Sequence, residues 1–249
     1  MRLIVCIRRV PDTAARIRIA SDGKSIETSD AEFVINPYEE YALEQAVQLK
    51  EKHGGDVTVV TLGPEKSTQM IMKALALGAD NAVHLRTEDP HIDPSSIAKA
   101  IANELKSHQF DILLFGKKGV DDDNQQVGQM VAELLDIPCV TQIVKLELSD
   151  GRAVAQREVE GGGIVVETSL PAAFTAEKDL TVPRYASLRE LVAARKKPIV
   201  VRDVQLQPSL LEIISVQNPP PRAPGKIVGK GVEAVPILVK LLHEEAKVI

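Results

Sequence analysis

Tryptophan is absent from this chain of 249 residues, and other aromatics are few: three Tyr and four Phe. Its core must therefore be aliphatic. No basic stripe is present; the net charge is −5, with acids and bases interspersed, so nothing suggests a nucleic-acid partner. No apolar run approaches the ~20 residues of a membrane span, so no membrane insertion is expected. Cysteine occurs twice, as Cys6 and Cys139, far apart and each in an apolar run. That usage points to reduced core thiols in a cytoplasmic protein rather than to a disulfide. The strand-like Arg2–Ile7 follows Met1 at once, so no signal or transit peptide is expected. Neither Gly-x-Ser-x-Gly, a Walker lysine pattern nor Gly-x-Gly-x-x-Gly occurs. His53, His84, His91, His108 and His243 are scattered, with no partner at metal-ligand spacing. No catalytic nucleophile or acid/base pair stands out.

What is present is alternation. Apolar runs of strand length occur at Arg2–Ile7, Asp56–Leu62, Ala82–Leu85 and Asp111–Phe115. Between them lie stretches of helical period. This pattern predicts an α/β fold: a doubly wound, mostly parallel sheet covered on both faces. Asn36 is the expected N-cap of the first long helix, with Pro37 at its first position and Glu39 completing a capping box. The segment after Gly63-Pro64 predicts a helix, and Asp93 or Ser95 caps the next. After Asp136, short strands at Pro138–Val140, Ile143–Leu148, Ala153–Glu158 and Ile164–Thr168 predict an antiparallel extension. Pro171–Ala176 predicts a last core strand. Residues 1–197 read as the α/β domain. Residues 198–249 read as an extended arm, proline-rich at Asn218–Pro224, that ends in an amphipathic helix from Val235 to Lys247. The arm suits either a partner chain or the domain's own surface.

Gly116–Gln129 carries most of the functional signal. A buried strand enters a polar loop that opens on Gly116 and runs into a helix at Val127. Open α/β sheets bind ligands at such places, and a helix N-terminus suits a phosphate. The strand ends at Cys6, Leu62 and Gly116 meet if the sheet is doubly wound. Asp121-Asp122-Asp123 is expected to be a hydrated loop that caps the following helix. Adjacent acids point apart and rarely share one metal ion. Carboxylates facing a phosphate would repel it, so backbone N–H groups and the Gln125 and Gln126 amides must make the contacts. Pro183–Leu188 is either a helix start capped by Ser187, with Leu188 packed inwards, or an exposed anchor for another protein.

Several stretches together resemble the β (small) subunit of the electron transfer flavoproteins over essentially the whole chain. They are Val5–Val10, Asn36–Glu39, Ala76–Asp80, Gly116–Gln129, Arg157–Gly162 with Leu170–Thr175, Pro183–Leu188, and Ile214–Val216 with Pro219-Pro220. The resemblance implies an adenine-nucleotide α-hydrolase-like fold that has lost catalysis and acts as an electron carrier. It implies a heterodimer with an α subunit, sharing one FAD, and a structural AMP. The implied AMP site is Cys6, Asn36, Pro37, Tyr38, Glu39, Leu62, Gly116, Lys117, Lys118, Gly119, Val120, Asp121, Asp122, Asp123, Asn124, Gln125, Gln126 and Val127. Tyr38 and Thr13 match positions near the flavin, although Thr13 replaces the usual aromatic. Residues 184–193 would dock acyl-CoA or related dehydrogenases through Arg184, Tyr185, Leu188, Arg189 and Leu191, with a quinone oxidoreductase as acceptor. Ala193 stands where some animal relatives carry a methylated lysine. A bifurcating branch binds a second FAD in place of AMP, with Asp-Gly-Asp at 121–123 and Pro at 129; Asp122 and Gln129 here favour AMP. The alternative from another class is an ATP-binding enzyme or sensor on the same fold.

Overall fold

The computed structural model describes residues 1–88, 93–149, 151–222 and 224–249. His91, Asp150 of the expected turn and Ala223 of the arm lie outside the described residues. The first half contains β1 (Arg2–Cys6), β2 (Arg9–Pro11), β3 (Arg18–Ile19), β4 (Ile26–Glu27), β5 (Phe33–Ile35), α1 (Pro37–His53) and β6 (Asp56–Gly63). It continues through α2 (Thr68–Ala76), β7 (Asn81–Arg86), α3 (Pro94–Leu105), β8 (Ile112–Gly116) and α4 (Val127–Leu134). The second half adds β9 (Cys139–Ser149), β10 (Arg152–Val159), β11 (Gly162–Ser169), β12 (Ala172–Ala176), α5 (Leu188–Ala194), β13 (Ile199–Asp203) and α6 (Ala234–Leu241).

Nine strands form one sheet in the order β11-β10-β9-β12-β8-β1-β6-β7-β13. From β12 to β13 every neighbouring pair is parallel. This is the expected α/β sheet with an antiparallel extension, formed by β9, β10 and β11. The inner strands look uniformly apolar because both faces are covered. In β1, Leu3 and Val5 join one core cluster with α1 and α2, while Ile4 and Cys6 join the other with α3 and α4. In β8, Ile112 and Leu114 go to the first and Leu113 and Phe115 to the second. Each fully buried aliphatic side chain contributes ~1.5–3 kcal/mol, so aromatic scarcity costs the core little.

Four local expectations change. Asn36 and Glu39 form no capping box: Asn36 makes no side-chain cap, and Glu39 turns to Arg8. The segment after Pro64 begins as a 3-10 turn over Glu65–Ser67 before α2. The stretches at 138–140 and 143–148 fall in one strand, β9, which carries a positive φ at Gln142 (57°) and pairs in parallel with β12 over its first part and antiparallel with β10 over its second. The sheet also takes in β13, beyond position 198, where the regular period seemed to end. Asp93 does cap α3, accepting from the Ser96 N–H at 2.6 Å. Cys6 and Cys139 are free. No helix is long and apolar enough to cross a membrane, among the described residues.

Candidate functional site

Strand β1 lies between β6 and β8, so the ends of the three strands converge. This is where strand order reverses in a doubly wound sheet. A cleft of about 300 Å³ opens there, at the small end of the ~300–1,000 Å³ range of small-molecule sites. Cys6, Leu62 and Gly116 all line it, as do Glu39, Lys117, Lys118 and Gly119. Asp122, Asn124, Gln125, Gln126 and Val127 complete the expected set found there. Pro94, Ile97 and Ile101 of α3 add an apolar wall, which the sequence reading missed; the amphipathic period of α3 was its only signal. Arg8 and Arg9 also line the cleft. Their place directly after β1 was the available clue.

Asn36, Pro37, Tyr38, Val120, Asp121 and Asp123 do not line the cleft. Asn36 is fully buried and works behind it. Its Nδ2 donates to the Lys118 carbonyl at 2.8 Å, and its Oδ1 accepts from the Val120 N–H at 3.2 Å. One side chain thus ties the start of α1 to the loop after β8. Gly116 makes that close approach possible. A Cβ there would sit 2.8 Å from Tyr38 Cβ, 2.9 Å from Glu39 Cγ and 3.1 Å from Asn36 Nδ2. Thr13 is exposed, in the turn after β2.

The three consecutive acids do not cap α4; its N-cap is Gln126, and no side chain caps the helix. Arg8 instead takes Asp121 (Nη2–Oδ2, 2.7 Å) and Asp122 (Nη1–Oδ2, 2.8 Å). Lys118 takes Asp123 at 2.8 Å, and Lys117 takes Glu177 at 2.5 Å. Asp123 and Gln125 adopt positive φ, each 53°, which turns the loop sharply before α4. The Gln142 amide donates to Gln125 Oε1 at 3.1 Å. Among the described residues, no group of three or more His, Cys, Asp or Glu side chains is arranged to hold a metal ion.

Electrostatics follow burial. Burial pushes Glu39 up to about 8, against the opposing pull of Arg8 and its N–H donor. Glu39 is therefore mostly uncharged at neutral pH. Burial, then Glu39, pushes the Cys6 thiol well up, and burial raises Cys139 to about 11. Neither thiol is a ready nucleophile at neutral pH. Burial works to lower Arg8, but Asp121 and Asp122 more than offset it, and its affinity for the proton rises.

A second feature lies apart from the cleft. Ser187 caps α5 in a full capping box with Glu190, as its sequence position suggested. Leu188 does not pack inwards: it is 78% exposed and Tyr185 is 96% exposed. Val182, Leu191 and Val192 are exposed beside them. Arg184 anchors this ridge to α1, with Nε 2.8 Å from Glu44 Oε2 and Nη1 2.6 Å from Glu51 Oε1. At the other end, Lys197 donates to the carbonyls of Leu75 and Ala79 at 2.8 and 2.5 Å. Arg189 is also exposed, on α5.

A family model described as the electron transfer flavoprotein domain matches residues 24–206. The chain is 42% identical to the electron transfer flavoprotein subunit beta of Bacillus subtilis, over 100% of both chains. It is 35% identical to the subunit beta of Bos taurus, over 100% of this chain and 99% of that one. The mitochondrial subunit beta of Arabidopsis thaliana is 36% identical over 100% of both chains. Sheet, matched length and whole-chain likeness agree, and the chain belongs to the electron transfer flavoprotein β-subunit family.

Proposed function

We propose that the cleft holds AMP as a structural group and that the chain works as the β subunit of a heterodimeric electron carrier. One observation carries this reading: the uncapped N-terminus of α4 meets a small cleft at the junction of β1, β6 and β8. Unpaired N–H groups and partial positive charge suit a phosphate there, at ~0.3–1 kcal/mol for each charge interaction. The apolar wall of α3 suits a purine face. The adenosine and one phosphate of AMP suit about 300 Å³ better than a dinucleotide does. Gln126, Val127 and Gly128 line the place where the phosphate would sit. The buried, largely uncharged Glu39 adds little repulsion.

The remaining roles rest on what the family resemblance implies and on the exposed surface. An α subunit would share one FAD with this chain, near Tyr38 and Thr13; when bound, FAD supplies the redox chemistry. Beyond β13, residues 204–249 would form the arm that grips the α subunit. In α6 no residue is buried, and Val235, Ile237, Leu238 and Val239 are exposed. The ridge at 184–193 would dock acyl-CoA or related dehydrogenases, with Leu188 as its tip and Arg184, Tyr185, Arg189 and Leu191 around it. Electrons would pass on to a quinone oxidoreductase. Proximity, not acid/base chemistry, is what such a carrier needs.

The test is co-expression with an electron transfer flavoprotein α subunit, followed by heat release of nucleotide and a flavin count. One FAD and one AMP per heterodimer is the expected result. Two FAD per heterodimer would overturn the AMP assignment. ATP turnover by the chain alone would overturn the carrier reading.

A further inference from the structure

Three carboxylates beside a phosphate-accepting helix end pose a problem in the sequence, because like charges repel an anion. The fold answers it with two side chains. The Arg8 guanidinium spans Asp121 and Asp122 at 2.7 and 2.8 Å, while Lys118 takes Asp123. Gly119 leaves room for it: a Cβ there would lie 2.5 Å from Arg8 Nη1 and 2.5 Å from Asp121 Oδ1. Arg8 itself is fixed from behind. Its N–H donates to the Glu39 carboxyl, and its carbonyl accepts from the Asn36 N–H at 3.0 Å. Asn36 in turn holds the loop at Lys118 and Val120. The ring closes on itself: Arg8, the start of α1, the loop, and back to Arg8. Lys117 is engaged by Glu177, so it is not a spare cation for these acids.

Resting on the AMP reading above, we propose that Arg8 is a positioning residue that neutralises Asp121 and Asp122, so that the cleft accepts an anionic mononucleotide. Arg8 acts on the ligand through these acids. Without it, Asp122 on the cleft wall and Asp121 next to it lose their counter-charge, and the cost falls on a phosphate rather than on a neutral nucleoside. Both partners are only about one-third exposed, at 31% for Arg8 and 28% and 31% for the aspartates, so water screens the effect only in part.

The experiment uses the full chain with its α subunit, freed of nucleotide, and measures AMP and adenosine binding separately. Arg8→Gln should weaken AMP binding roughly tenfold, equivalent to ~1.4 kcal/mol, and leave adenosine within about twofold. Adding Asp121→Asn and Asp122→Asn to it should restore AMP binding. Equal losses for AMP and adenosine, or no rescue, would overturn the proposal; no rescue would make Arg8 a direct phosphate contact instead. If Arg8→Gln does not fold, the two aspartate substitutions in the wild-type background still decide. They should strengthen AMP binding and leave adenosine unchanged; unchanged or weaker AMP binding overturns the proposal. A wild-type protein that binds no AMP overturns the AMP reading itself, a result distinct from a wild type that binds AMP with no charge effect.

Discussion

The cleft and the ridge are both held by α1, and they are built on opposite rules. At the cleft several polar groups are matched inside the protein, Asn36 to the loop, Arg8 to two aspartates and Lys118 to a third, while Arg9 Nε and Ser67 Oγ stay buried without a partner. At the ridge the base is matched, where Arg184 meets Glu44 and Glu51, and the apolar tip at Tyr185 and Leu188 is left exposed. On the proposed roles, the difference follows the size of the ligand. A small group must find its donors already placed, because it brings too little contact area to reorganise them. A protein partner brings area of its own, so the surface that meets it needs a firm root and an open, apolar end.

That contrast is broken most severely by Gly116→Ala. The new methyl group would collide with Tyr38, Glu39 and Asn36, and overpacking of this kind costs ~1–3 kcal/mol. Nucleotide content should fall to near zero with a lower thermal midpoint, while docking of a dehydrogenase to the remaining folded protein persists. Retention of full AMP would show that the close approach of α1 to β8 is dispensable. Next in size is Arg184→Met. It leaves the Glu44 carboxylate, 6% exposed, without its cation. Solvent around Arg184 and Glu51 reduces the penalty to ~1–2 kcal/mol. Denaturant unfolding should show that loss. Reduction by a partner dehydrogenase should slow, with AMP unchanged.

Leu188→Ala sharpens the contrast further. Stability should change by less than ~0.5 kcal/mol because the side chain is exposed, yet reduction by the dehydrogenase should slow roughly tenfold or more if Leu188 fills a partner pocket. Loss of FAD from this variant would assign Leu188 a structural role instead. The smallest effect is one of pH. Glu39 is raised by burial from 4.5 to about 8 in the folded chain. Below pH 4.5 both folded and unfolded chains hold the proton, and its contribution to stability is complete. As pH rises towards 8 the unfolded chain gives the proton up first, so that contribution is lost. Glu39→Gln should flatten this part of the stability curve, with little change at pH 5. A wild-type midpoint as high at pH 8 as at pH 5, after correction for the variant, would contradict a buried neutral Glu39.

Much of this architecture was readable along the chain. The junction of Cys6, Leu62 and Gly116 follows from alternating strands and helices, because a parallel sheet brings alternate strand ends to one side. The loop from Gly116 to Val127 was legible for the same reason. The fate of Asn36 was not. Its sequence signals an ordinary capping box, since Glu39 lies three residues on, but the fold supplies loop groups from residues 118 and 120 that compete for the same amide. Likewise the acids at 121–123 looked like a solvated helix cap, because the nearby cations Lys117 and Lys118 go to Glu177 and Asp123, while the cation for Asp121 and Asp122 is Arg8, far away in sequence. The arm shows the limit from the other side. Its exposed aliphatics mark it as unfinished, and no local pattern says which surface completes it.

By itself the sequence determined the periods: that β1 and β8 are buried strands, where α1 and α3 start, and that Leu188 sits at a capped helix entry. Those are decided within a turn or two by backbone geometry and side-chain spacing. The three-dimensional fold alone decided the pairings between distant residues. Arg8 and Asp121 are separated by 113 positions along the chain, and 2.7 Å separates their charged atoms. Such a pair forms because strand order fixes which ends become neighbours, and a hydrogen bond or ion pair goes to whatever partner lies within reach in space.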